Sequence, residues 1–220
     1  MTIAMTDYID LYYEVAGSGP EVLFISGTGG DLRSDPSPIR SPLTDHFTVA
    51  AYDQRGLGQS SLPDGPYSIA DYVVDAVDLL DDVGWTRAHV VGENFGGMVA
   101  QELAIQFPER VGRLVLCGST PGRTGDAPPP LVDAPPSPDD RGVDWQLDAW
   151  RRHDAIDRLG QIASPVLVCG ASDDAYATVA DQALLAEGIP DSRLVCFAGD
   201  HGFLHDDPTA WPVVIDFLEG

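Results

Sequence analysis

Positive charge is scarce in this chain. Twelve Lys and Arg residues face 35 Asp and Glu, a formal net charge of −23 over 220 residues. Such a surface repels phosphate backbones, so nucleic acid is not an expected partner, and anionic membranes are disfavoured on the same ground. Acidity of this degree favours solubility and names no ligand. Long apolar runs are also missing. None approaches the ~18 residues that a membrane span requires. The opening MTIAMTDYID has neither the basic nor the apolar part of a secretory signal. The expectation is a soluble cytoplasmic protein. Cysteine is sparse: Cys117, Cys169 and Cys196 each end an apolar run, and no two form a C-x-x-C pair. They read as small buried thiols in strands, without zinc or redox motifs. No metal and no cofactor is expected.

What is present is an alternation of strand and helix signals, which predicts an α/β fold with a largely parallel sheet. DLYYEVAG, EVLFIS, FTVAAYD, AHVVG, RVGRLVLCG, PVLVCG and SRLVCF read as strands. SIADYVVDAVDLLDDVG carries Ile69, Val73, Val77 and Leu80 at helical spacing, FGGMVAQELAIQFP reads as a helix stopped by Pro108, and ATVADQALLAEG and PTAWPVVIDFLEG read as two more. The length suits one domain over residues 1–220. The Pro- and Asp-rich stretch Arg123 to Asp144 has no hydrophobic period and reads as a long surface loop. WQLDAWRRHDAIDRL after it resembles an amphipathic helix.

Val90 to Ala100, VVGENFGGMVA, has the outline of a nucleophile elbow, G-x-S-x-G, in which a serine sits on a sharp strand-to-helix turn. Here Asn94 holds the serine's position, and a carboxamide is not an acyl-transfer nucleophile. Four other segments stand in order around it: SGTGG (Ser26 to Gly30), YDQRGLGQS (Tyr52 to Ser60), CGASDD (Cys169 to Asp174) and GDHGFLHDDP (Gly199 to Pro208). Together they resemble the α/β-hydrolase fold family from about Leu11 to the C-terminus. In that family they correspond to the oxyanion loop, a D-x-R-G-x-G-x-S turn, the loop of the catalytic acid and the loop of the catalytic histidine.

The resemblance implies His201 as base and Asp173 as its acid, with Asp174 the neighbouring alternative. It implies an oxyanion hole from the backbone N–H groups of Thr28 and Phe95. Ser26, Gly27, Glu93 and Ser119 are the candidate substrate-binding residues, with Ser119 also a place to which a nucleophile could have moved. Ser26 stands where the family has a loop histidine, and the lid, about 119–149, is short for the family. Asp53 and Arg55 read as structural ties between loops. Asp200, His46, His89, His153 and His205 read as surface or strand-end groups without metal-ligand spacing.

Four readings of Asn94 stay open. It is a fossil, kept because Asn tolerates a positive φ. Or it positions substrate while His201 acts as base without a covalent step. Or it replaces the serine or aspartate of a working hydrolase. Or it deamidates to the aspartate nucleophile, which the bulky Phe95 would slow through the backbone route. The sequence thus predicts a cofactor-free enzyme on a small organic carbonyl compound, compatible with secondary metabolism, acting as lyase, cyclase, isomerase or hydrolase without an acyl-enzyme. An ordinary esterase, lactonase or epoxide hydrolase, a non-catalytic ligand-binding protein and a homodimer remain open beside it.

Overall fold

A computed structural model describes residues 2–5, 9–122 and 141–220. Eight strands form one sheet: β1 (Thr2–Met5), β2 (Asp10–Gly17), β3 (Glu21–Ile25), β4 (Thr48–Tyr52), β5 (Ala88–Glu93), β6 (Val111–Cys117), β7 (Val166–Ala171) and β8 (Ser192–Phe197). Their order is β1-β2-β4-β3-β5-β6-β7-β8. The β1–β2 and β2–β4 pairs are antiparallel and the others parallel. Among the described residues six α-helices accompany them: α1 (Ile69–Asp82), α2 (Phe95–Gln106), α3 (Arg141–Arg152), α4 (Val179–Gly188), α5 (Phe203–Asp206) and α6 (Ala210–Glu219). The α/β class holds.

The inner strands are apolar along nearly their whole length because helices cover both faces. Alternate residues serve opposite faces. Leu23, Val90, Leu114 and Val168 pack on the side of α1 and α2, against Met98, Val99 and Leu103. Phe24, Val91, Val115 and Leu167 pack on the other side with Phe203, Val214 and Leu218 from α5 and α6. Helices α1 and α4 each begin with a capping box, Ser68 with Asp71 and Thr178 with Asp181, which satisfies backbone donors at their first turns.

Three expectations change. Cys117 and Cys169 are buried neighbours in register, but Cys196 is exposed, because β8 closes the sheet edge and its residues are largely uncovered. The stretch expected to be a loop to Asp144 turns helical from Arg141. Gly142 there lies so close to Gly56 that a Cβ would meet the Gly56 carbonyl oxygen at 1.9 Å, and Trp145 packs edge-on to Tyr67 at 4.7 Å. Docking therefore fixes the helix start. The helix ends at Arg152 rather than running on to Leu159, and a separate 3₁₀ turn follows at Ile156–Gln161. Of the expected lid, residues 123–140 lie outside the described residues.

The connection from β3 runs outward to β4, and the chain then returns to place β5 on the other side of β3. In open α/β sheets the crevice beyond the carboxyl ends at such a reversal is where ligands bind. The loops after β3, β5, β7 and β8 all leave from that edge.

Candidate active site

Asn94 is the one residue between β5 and α2. Its φ of 50° and ψ of −113° make it the only non-glycine residue with positive φ among the described residues. A non-glycine side chain in this backbone region is strained, so surrounding contacts must hold it. They are visible. The Asn94 N–H donates to the Cys117 carbonyl at 2.8 Å, and its carbonyl accepts from Gly97 N–H at 3.1 Å. The turn is tight enough that a Cβ on Gly96 would meet the Ile25 carbonyl oxygen at 2.0 Å. Glycine is required there so that α2 can start against the end of β3.

The turn aims the Asn94 carboxamide at three groups. Its Oδ1 accepts from Phe95 N–H at 2.6 Å and from the Thr28 hydroxyl at 3.0 Å. Its Nδ2 lies 2.5 Å from His201 Nε2. The amide orientation is forced, since the Phe95 N–H can only donate and so must face an oxygen. His201 Nε2 is then an acceptor, and the ring proton sits on Nδ1. Thr28 meets Asn94 Oδ1 through its hydroxyl, whereas the resemblance implies its backbone N–H as an oxyanion donor. The loop brings the side chain to the shared oxygen.

His201 Nδ1 pairs with Asp174 Oδ2 at 2.7 Å, which corrects the expectation of Asp173. The Asp174 side chain is fully buried, and its Oδ1 accepts from the N–H groups of Tyr176 and Ala177 at 2.8 and 2.9 Å. Those two donors turn the carboxylate inward. Asp173 is exposed and meets the Ser172 hydroxyl instead. The imidazole packs over Gly118, where a Cβ would stand 3.2 Å from Cε1, and edge-on to Tyr176 at 5.3 Å.

A supporting layer fixes the loops. Asp53 accepts from the N–H groups of Leu32 and Gln59 at 2.7 and 2.8 Å, and Gln54 donates to the Ser26 carbonyl at 2.8 Å. Arg55 grips Asp75 of α1 with two bonds of 2.6 Å. Gln146 of α3 accepts from Gly29 N–H at 2.8 Å, pinning the turn beside Thr28. Asp53 and Arg55 thus tie loops together. Gln54 fills the variable position of the D-x-R turn and Gln146 lies outside every motif, so neither stands out in the sequence.

A cavity of about 380 Å³ opens above these groups, lined by Ser26, Gly27, Thr28, Glu93, Asn94, His201 and His205 and by residues of the 29–38 loop, Asp31 and Asp35 among them. His205 is not a bystander: its Nε2 pairs with Glu93 Oε1 at 3.1 Å, and that hydrogen bond holds the imidazole above its ordinary pKa. Ser119 does not line the cavity. It is buried beneath α2, where a Cβ on Gly97 would press on it, and lies 3.4 Å from Gln101 Nε2. His153 is no surface group either, being buried beside Glu102. Another cleft of similar volume sits at the opposite edge of the sheet, between Arg87, His89 and Arg113, away from all of these residues. Among the described residues no group of His, Cys, Asp and Glu is placed to hold a metal ion, and no helix is long and apolar enough to cross a membrane.

Residues 20–151 match the profile of the family described as alpha/beta hydrolase fold. A protein of Caulobacter segnis named "putative carbamate hydrolase RutD" is 30% identical, covering 94% of this chain and 96% of its own. One of the same name from Variovorax paradoxus is 33% identical over 84% and 86%. The C. segnis alignment runs over 262 positions against a chain of 220, so that relative has stretches without a counterpart here. Among solved structures, a hydrolase from Pseudomonas aeruginosa superposes with a TM-score of 0.88 at 28% identity, covering 100% of this chain and 98% of the other. An enol-lactonase from Burkholderia xenovorans gives 0.88 at 24%, with both chains covered completely, a likeness of fold.

Proposed function

The chain belongs to the α/β-hydrolase fold family, and from that membership we propose that it is an enzyme acting on a small carbonyl compound through His201 as general base, without an acyl-enzyme. The observation that carries this is the convergence of three groups on one carboxamide. An imidazole nitrogen that accepts faces the amide nitrogen, and two donors face the oxygen. A substrate C=O that displaces the Asn94 side chain meets the same donors, and its reacting proton, or an attacking water, meets His201 Nε2. Asp174 orients the imidazole and stabilises its protonated form. Donors aimed at the carbonyl oxygen stabilise the charge that develops there.

The substrate class follows from the same geometry. The site holds an amide in place, and the curated relatives carry the name of a carbamate hydrolase. Amides, carbamates and related carbonyl compounds are the favoured class. At the cavity wall Glu93 pairs with His205 and Asp31 with Arg33, so a neutral molecule fits best.

The test is a panel of small neutral amides, carbamates, esters and lactones offered to the wild type and to His201→Ala. Turnover that falls by about a hundredfold or more in the variant supports the reading. Turnover that survives the variant sinks the mechanism. Ligand binding without turnover of any compound would mark a protein that only binds.

A further inference from the structure

The chain contains a single asparagine, and it is Asn94. We infer that Asn94 is a self-modification site, at which the active site hydrolyses the carboxamide of its own elbow residue to a carboxylate and releases ammonia. The inference rests on the proposed roles of His201 and of the two donors, and it adds an internal substrate to them.

Amide hydrolysis needs a polarised carbonyl, a base for water and a proton for the departing nitrogen. Asn94 meets each. Its Oδ1 holds two hydrogen bonds, from Phe95 N–H and the Thr28 hydroxyl, which are the donors an oxyanion requires. Its Nδ2 lies 2.5 Å from His201 Nε2, within reach of a returned proton. The side chain lines the cavity, the side from which water arrives. Its backbone is held at φ 50°, so the carboxamide is kept in this place rather than visiting it.

The step balances as follows. The Nδ2–His201 hydrogen bond opens, and a water then gives one proton to the freed His201 Nε2 while its oxygen bonds to Cγ. The C=O pair moves onto Oδ1, held by Phe95 and Thr28. The pair returns, the Cγ–Nδ2 bond breaks, and the imidazolium protonates the nitrogen. One asparagine and one water give one aspartate and one ammonia, with no oxidant and no cofactor.

The ordinary chemical route differs. It requires the following backbone nitrogen to attack Cγ and close a ring. That nitrogen belongs to Phe95, the first residue of α2. It is buried and points its hydrogen at Oδ1. The product would be a carboxylate on the elbow, one oxygen in the hole and the other facing His201. A carboxylate is a competent nucleophile where a carboxamide is not.

The experiment incubates the purified full chain in ordinary and in heavy-oxygen water and follows the tryptic peptide Ala88–Arg110, which carries the only asparagine. The expected result is a gain of about one dalton, or about three in heavy-oxygen water, as α-aspartate without isoaspartate. The rate falls by about a hundredfold in His201→Ala and in Asp174→Asn. Folding of each variant is checked by circular dichroism, and the isoaspartate assay reads the wild type alone. A mixture rich in isoaspartate, or a rate indifferent to His201, overturns the inference in favour of ring closure. An unchanged mass, while Asn94→Ser reacts with a fluorophosphonate in a His201-dependent manner, overturns the self-modification alone and leaves the base and hole standing. An unchanged mass with no such labelling overturns both.

Discussion

Asn94 and His201 are separated by 107 positions in sequence, yet Asn94 Nδ2 stands 2.5 Å from His201 Nε2. That contact occupies the lone pair a general base would use, while Asn94 Oδ1 occupies the Phe95 N–H and the Thr28 hydroxyl. The site at rest is closed upon its own side chain.

Replacing Asn94 should therefore uncover a working pair. Asn94→Ser leaves a hydroxyl beside His201 Nε2 and frees both donors. Labelling by a fluorophosphonate is the expected outcome, because the probe needs an activated serine in a formed hole. The Asn94→Ser/His201→Ala double variant should label about a hundredfold more slowly. Equal rates would show that the imidazole does not act on position 94.

The two adjacent acids are separable by the same assay. In the Asn94→Ser background, Asp174→Ala should slow labelling by about a hundredfold or more, since the imidazole loses its orienting partner. It should also lower stability by ~1–3 kcal/mol, because the Tyr176 and Ala177 N–H groups lose their acceptor. Asp173→Ala should change neither by much. Equal effects from both would refute the assignment.

Thr28→Val keeps the shape of the side chain and removes the hydroxyl donor. Loss of one donor of an oxyanion hole typically lowers turnover by ~10²–10³-fold. Here the Asn94→Ser labelling rate should fall by at least about tenfold with little change in melting temperature. An unaffected rate would mean that Thr28 serves only the resting amide.

His153 supplies a pH signature. Burial pushes its pKa from 6.5 down to about 4, and its Nε2 has no hydrogen-bond partner among the described residues. The unfolded chain therefore takes up this proton first as the solution is acidified. The stability contribution is complete above pH 6.5 and is lost as pH falls towards 4. Thermal melts across that window should show a falling Tm, and His153→Gln should flatten this part of the profile. A slope unchanged in the variant would assign the acid sensitivity to other groups.

How much of this was legible in the sequence varies by element. Seven strands could be read from their apolar residues: the inner parallel strands, buried on both faces, need near-continuous apolar runs, while antiparallel β2 and the uncovered edge strand β8 carry shorter ones. The edge strand Thr2–Met5 escaped, since TIAM is short and carries no alternation long enough to stand out. The elbow was legible because its glycines are dictated by close backbone approach at Gly92 and Gly96. The choice between Asp173 and Asp174 was not, because adjacent carboxylates are told apart only by which one accepts the Tyr176 and Ala177 amides. Gln146 was invisible for a related reason. Its role is a single bond to Gly29, across 117 positions, and a lone glutamine on a helix announces nothing.

The path between β6 and β7 leaves the sheet and returns almost to its starting point. Gly122 bridges Asp154, the Ala155 N–H donates to the Pro121 carbonyl at 2.7 Å, and Gln101 holds the Thr120 carbonyl at 3.0 Å. The two ends are thereby stapled together independently of what lies between them. The entropy of closing such an excursion grows only slowly with its length, by about 0.6 kcal/mol per doubling. The staple makes this an exchangeable cassette: a longer or shorter insert can be grafted between the same two anchors while the sheet stays untouched. Divergence can then vary the length of this excursion from the same two anchors, provided Gln146 still reaches Gly29.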